Sequence, residues 1–120
     1  MDERILKWIY DIKISIDEIE GFFVQEEKDF FKYRNNLMLK RAVERNLEII
    51  GEAMNRIINR DCNFSTKITN SKSIIGLRNQ VIHAYDNISD ENIWSILTTH
   101  LPKLKFEIQK IIEDDSDGEK

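Results

Sequence analysis

The sequence predicts an all-α fold, an up-and-down bundle of four main helices with a short extra helical turn, dimerising through helix faces. Three observations lead to that expectation. Charged residues make up 33% of the chain, and its 120 residues include only four glycines and one proline, too few turn formers for a strand-rich domain. Apolar residues recur at three- and four-residue steps along most of the chain, the period of an amphipathic helix. The length suits one domain with one core. The expected organisation is therefore a helical bundle over residues 1–113 and an acidic, disordered tail over 114–120, where the charge run sets in.

Ile5, Ile9, Ile12, Ile16, Ile19 and Phe23 place a first helix from about Asp2 to Phe22. Asp2 and Glu3 suit the positive end of its dipole, and Gly21 marks its fraying end. Phe30, Phe31 and Tyr33 sit among charges, a pattern for a short turn that folds aromatic rings over one end of the bundle. Asn35 or Asn36 can cap the next helix, whose stripe of Val43, Leu47, Ile50, Met54 and Ile57 runs to about Arg60. Ala42, Ile49 and Ala53 widen that stripe, and Gly51 inside a helix costs about 1 kcal/mol relative to alanine. Together they predict close neighbours on both sides, one of which a second subunit can supply.

Residues 61–70 are polar and aperiodic and read as the longest loop, with Cys62 a loop residue without a role. Asn70 or Ser71 can cap the helix that follows, which Asp86-Asn87 ends. Ser89, Asp90 and Glu91 then open the last helix. Its stripe of Ile93, Leu97, His100, Leu104, Ile108 and Ile111 makes His100 a partly buried structural residue, and Pro102 predicts a kink or break. One cysteine excludes an internal disulfide and a cysteine-based zinc site. No apolar run approaches the roughly 18 residues of a membrane span, and Met1-Asp2-Glu3-Arg4 lacks a signal peptide's layout. The expected location is cytoplasmic.

The net charge of -4 conceals an uneven distribution. Residues 28–78 hold eleven Lys and Arg against five Asp and Glu, whereas residues 1–27 hold three against eight and residues 79–120 four against nine. A basic middle beside a polar, histidine-bearing stretch suits a polyanionic substrate. It also suits the plain solvation of a long helix.

That stretch is Gly76-Leu77-Arg78-Asn79-Gln80-Val81-Ile82-His83-Ala84-Tyr85-Asp86. At about 100° per residue, Arg78 and Tyr85 share a helix face, while His83 lies roughly 140° from Arg78. A close Arg–His pair is not expected within one ideal helix, so the two converge by a distortion near Asp86 or across a dimer axis. No second histidine stands ready to form a metal pair, and no serine or cysteine beside His83 offers a nucleophile for acyl transfer. RNA supplies its own nucleophile, the 2′-hydroxyl. A histidine with a pKa of about 6.5 can take that proton or protonate the leaving oxygen, while a guanidinium grips the phosphate. A structural reading of the same residues stays open: the helix dipole favours a histidine near a C-terminus, Arg78 can pair with Glu48 or Glu52, and Tyr85 can be core. The Glu44, Glu48, Glu52 ladder reads first as a salt-bridge face with Arg41, Arg45 and Arg56, and second as a means of orienting Arg78.

Arg78-Asn79-x-x-x-His83-x-Tyr85 resembles the Arg-x-x-x-x-His-x-Tyr signature of the HepT-like toxins, helical proteins of the HEPN superfamily. Arg45-Asn46-Leu47-Glu48-Ile49-Ile50-Gly51-Glu52-Ala53 resembles their long-helix motif, and Leu101-Pro102-x-Leu104 their last helix. The resemblance spans the first helix to Ile112. It implies a homodimeric, metal-independent endoribonuclease without a cofactor, the toxin of a type VII-like toxin–antitoxin system encoded beside an MNT-type nucleotidyltransferase antitoxin. Carried over position by position, Arg78 and His83 are catalytic, Asn79 binds substrate, and Tyr85 is the residue on which the antitoxin places AMP, blocking the RNA cleft. The chain departs from its relatives just before this helix, where Ile68-Thr69-Asn70-Ser71-Lys72 replaces a proline and a tryptophan. The competing expectation is a non-catalytic helical subunit that presents a substrate or a surface to a nucleotidyltransferase.

Overall fold

The computed structural model describes residues 1–23, 29–82 and 90–118, with residues 77–82 and 117–118 described by their backbone alone. Among the described residues every regular element is helical: α1 (Glu3–Gly21), α2 (Phe30–Arg34), α3 (Leu37–Arg60), a 3-10 turn (Cys62–Thr66), α4 (Ser71–Ile82), α5 (Asp90–Ser95) and α6 (Leu101–Gly118). A π-helical turn, Ile96–His100, joins α5 to α6, so the two form one long last helix. Counting them together, four main helices and the short α2 make up the described fold, as the apolar periods predicted. No described helix is long and apolar enough to cross a membrane.

Helix starts are set by side-chain oxygens that accept the first free N–H groups. Asp2 accepts from Arg4 N at 2.8 Å and Ile5 N at 3.3 Å, Asp29 from Phe31 N at 2.8 Å, and Asn36 from Leu39 N at 3.0 Å. Asn36 rather than Asn35 is thus the cap of α3. The entry to α4 is a tight one, with Asn70 at φ 65, a left-handed conformation that asparagine tolerates better than most residues.

α3 packs against α1 on one side and α4 on the other. Val43, Leu47, Ile50, Met54 and Ile57 are fully buried along it, and Asn46, Gly51 and Ala53 are buried beside them. Both neighbours foreseen from the wide apolar face come from the same chain. Ile5, Ile9, Ile12, Ile16 and Ile19 of α1 and Ile93, Leu97, Leu101, Leu104, Ile108 and Ile111 of the last helix complete the core.

Ion pairs at the helix ends fix directions. Arg60, at the end of α3, meets Asp2 before α1 at 2.9 Å, so α1 and α3 are antiparallel. The Met1 ammonium meets Asp115 at 3.2 Å and Glu20 meets Lys105 at 2.7 Å, so α1 and α6 are antiparallel as well. Lys40 meets Asp90 at 3.1 Å, bringing the starts of α3 and α5 together. The hydrogen bond from Arg60 holds the Asp2 carboxyl below its ordinary range.

Three expectations are corrected. The stretch 61–70 is not a featureless loop: it holds the 3-10 turn, and Phe64 and Ile68, four residues apart, are both buried. Of the expected tail at 114–120, residues 114–118 are helical, since α6 runs to Gly118 and Asp115 ties to the chain's amino group. His100 is exposed, and Leu101 takes the core position. The cause lies in the π-helical turn, where Leu101 N–H donates to Ile96 O, five residues back. That wider turn adds a residue to the spacing and rotates His100 outward. It also spares the helix a break at Pro102, which has no N–H to donate and whose ring crowds the carbonyl four residues earlier.

Ile50 is fully buried on α3 whereas Ile14 on α1 is 53% exposed. Ile50→Ala is expected to lower unfolding free energy by about 2–5 kcal/mol and Ile14→Ala by less than about 0.5 kcal/mol, as read from urea titrations of the two variants.

Candidate active site

α4 begins where the 3-10 turn leaves the end of α3 and packs along α3, so it runs back towards the start of that helix. Arg78 and Asn79 lie on it, four and three residues before Ile82, in unbroken α-helix. His83 and Tyr85 lie outside the described residues, as does the helix end expected at Asp86-Asn87. The far side of this stretch is described again at Asp90, whose two carboxylate oxygens lie 3.1 and 3.2 Å from Lys40 Nζ on α3. The described residues on either side of this stretch, Ile82 and Asp90, thus belong to helices attached to α3.

The acidic ladder on α3 finds local partners. Arg41 donates to both oxygens of Glu44 at 2.8 and 3.1 Å, Arg56 to Glu52 at 2.7 Å, and Arg45 stands 3.6 Å from Glu48. This is the salt-bridge face that the sequence analysis put first. Such exposed pairs stabilise little, about 0–1 kcal/mol each, but they neutralise carboxylates that would otherwise repel a phosphate.

Below Asp90, α5 is held by rings. Trp94 packs edge-on against Phe23 and Phe30, both with centroids 5.9 Å away, and tilted on Tyr33 at 5.5 Å. The short α2 does fold aromatics over this end, although only Tyr33 is buried and Phe31 faces solvent. Sequence reasoning missed Lys40, Asp90 and Trp94 as the groups that fix α5. Nothing local marks a pair fifty residues apart; the one available signal was a tryptophan at helical spacing from Asp90.

A cleft of about 340 Å³ opens at the opposite end of the bundle, lined by Asp2, Asp61, Asp114 and Asp115 with Lys67 among others. Four carboxylates make it unsuited to a polyanion. Among the described residues no group of three or more His, Cys, Asp or Glu side chains is placed to hold a metal ion.

The fold is thus a small helical domain with an Arg–Asn pair on a helix packed along its central one, followed by a histidine and a tyrosine in the adjoining sequence. The Ribonuclease HepT-like family profile matches residues 12–111, and the chain belongs to that family. A Methanocaldococcus jannaschii protein named "Putative RNase MJ1380" is 39% identical over 112 residues, covering 91% of this chain and 98% of its own. "Putative RNase MJ0125" of the same organism is 33% identical over 115 residues, covering 95% and 97%. A third, "Gamma-glutamylcyclotransferase and putative RNase MJ0434", is 34% identical over 117 residues but is matched over only 50% of its length. No solved structure matches the chain.

The Tyr33 hydroxyl is buried without a hydrogen-bond partner among the described residues. Burial first, and then the nearby Glu44 carboxylate, push its phenol well above the ordinary range. The folded pKa exceeds the unfolded value of about 10, so this residue's stabilisation is complete below that pH and is lost as pH rises beyond it. Tyr33→Phe removes an unsatisfied buried group. It is expected to leave stability unchanged or to raise it by about 1 kcal/mol at neutral pH, and to shift the midpoint of alkaline unfolding, followed by circular dichroism, upward.

Proposed function

We propose that this protein is a metal-independent endoribonuclease that uses Arg78 and His83, working as a homodimer and as the toxin of a type VII-like toxin–antitoxin system. The observation that carries the reading is the family match across residues 12–111, which includes the whole Arg78-Asn79-x-x-x-His83-x-Tyr85 stretch. The names of its relatives support RNA as substrate.

In the reaction, the 2′-oxygen of the substrate attacks the adjacent phosphorus and the bond to the 5′-oxygen breaks. The products are a 2′,3′-cyclic phosphate and a 5′-hydroxyl. One His83 takes the 2′-hydroxyl proton, and a protonated His83 from the second copy gives a proton to the leaving oxygen. Proton transfer of this kind contributes about 100- to 10,000-fold. Arg78 grips the non-bridging oxygens, where charge builds up, and Asn79 orients the phosphate. A nucleotidyltransferase antitoxin of the MNT type switches the activity off by transferring AMP to Tyr85, which adds charge and bulk in the cleft.

His83→Ala is expected to abolish cleavage of total RNA by the unmodified protein while leaving its helical content intact, and a 2′-O-methyl group at the cut nucleotide is expected to block cleavage by the wild type. Retained cleavage in either case refutes this chemistry. An unmodified wild type that cuts no RNA points instead to a non-catalytic partner of the nucleotidyltransferase. For Tyr85, co-expression with the antitoxin is expected to raise the protein mass by whole AMP units, and Tyr85→Phe to prevent the gain; a gain that persists in Tyr85→Phe places the modification elsewhere.

A further inference from the structure

α2 has only five residues, yet it is held firmly. The Phe31 N–H donates to Asp29 at 2.8 Å, and the Phe31 carbonyl accepts from Asn35 Nδ2 at 2.9 Å. The Phe31 ring rests edge-on against Phe30, centroids 5.9 Å apart, and Phe30 in turn packs against Trp94. A ring anchored in this way would ordinarily be core. Phe31 is instead 70% exposed.

The residues around it are equally unusual. Arg34 is three positions on, on the same helix face, exposed and, among the described residues, without a carboxylate partner. Leu37 and Met38 follow on the first turn of α3, with Met38 83% exposed. Residues 29–41 hold four Lys and Arg against one acidic residue, Asp29, whose carboxylate is engaged in capping α2; of the four, Lys40 and Arg41 are tied to Asp90 and Glu44, and Arg34 is the cation beside Phe31. Rigid, outward-facing apolar surface beside the exposed Arg34 guanidinium is what single-stranded nucleic acid needs: a face for a base and a cation for its phosphate. A second copy of this chain fits less well, because a two-fold contact sets a patch against itself and would bring like charges together.

The location matters as well. α2 packs through Phe30 and Tyr33 on Trp94 of α5, and α5 starts at Asp90, pinned to Lys40. The patch therefore lies at the end of the bundle where α5 begins, seven residues after His83 in the sequence.

We propose that Phe31, Arg34 and Met38 form a docking surface for a single-stranded segment of RNA, with a base stacked on Phe31 and a phosphate held by Arg34. The proposal rests on the ribonuclease reading and adds to it a substrate class: RNA with an unpaired stretch flanking the cut. Because α2 is already fixed, little side-chain freedom is lost on binding.

The test measures binding of a fluorescein-labelled, unstructured RNA oligonucleotide by anisotropy over a range of salt concentrations, with His83→Ala as the parent protein so that the probe stays intact. Adding Phe31→Ala is expected to weaken binding on the order of tenfold, the loss of one stacked base, with the salt dependence unchanged. Adding Arg34→Ala is expected to make the slope of log affinity against log salt shallower by about 0.7, the loss of one phosphate contact on a single strand. Phe106→Ala removes a ring that is also 70% exposed but sits on α6, and binding is expected to match the parent. Parent-like binding by both patch variants overturns the proposal. So does weakened binding that sedimentation traces to a changed oligomeric state, which would make the patch a subunit contact. If the parent binds no RNA and the wild type cuts none, the ribonuclease reading itself fails; RNA that is cut normally and ignores the patch defeats the docking surface alone.

Discussion

A helix that is covered on two sides must be apolar over more of its circumference than a surface helix. α3 meets that constraint with a fully buried row from Val43 to Ile57 and with the small Gly51 and Ala53 beside it. α1 and α4 both pack on it, and the start of α5 is tied to it through Lys40 and Asp90. Beyond its first turn, where Leu37 and Met38 face solvent, the outer side of α3 is mostly charged in both signs, with Arg41–Glu44 and Arg56–Glu52 paired along the helix itself. The arrangement leaves little freedom for the stretch between α4 and α5 to begin or end anywhere else.

Features set within a turn or two of chain were legible in the sequence. The bounds of α1 to within a residue, a cap at Asn35 or Asn36 and the end of α3 near Arg60 follow from local period and capping chemistry, and the structure reproduces them, with Asn36 as the cap. Features that depend on distant contacts or on a change of helical pitch were not. The period drawn through Leu97, His100 and Leu104 assumes 3.6 residues per turn throughout, and the π-helical turn before Pro102 breaks that assumption by one residue. Leu101, not His100, completes the buried row as a result. In the same way Phe64 and Ile68 fall in a stretch that reads as a polar loop, because a single 3-10 turn ending at Thr66 and one bond from Ile68 N–H to Phe64 O are too short to register in a sequence pattern.

The candidate site divides along the same line. Arg78 and Asn79 fall in helix, as their neighbours' spacing required. The pairing of Glu44 and Glu52 with arginines on their own helix was foreseen from i, i+3 and i, i+4 spacing. The aromatic support under α5 was only half visible: Phe30 and Tyr33 were assigned to the bundle end, but their common partner Trp94 comes from more than sixty residues later.

Helical geometry also bears on how the proposed reaction is assembled. α4 keeps regular α-helix through Ile82, so the phase set at Arg78 is carried to the residue just before His83. Continued by one residue, that phase leaves the two about 140° apart, too far around the cylinder to grip one phosphate and move its protons together. In the proposed reading a two-fold axis resolves the conflict, because one shared cleft then holds the guanidinium of either copy together with the imidazoles of both. Such an arrangement ties activity to assembly: a lone subunit would hold both residues and still lack a site. On the same reading, AMP carried by Tyr85, seven residues from Arg78 and so on its face of an ideal helix, would obstruct the phosphate that Arg78 is proposed to hold.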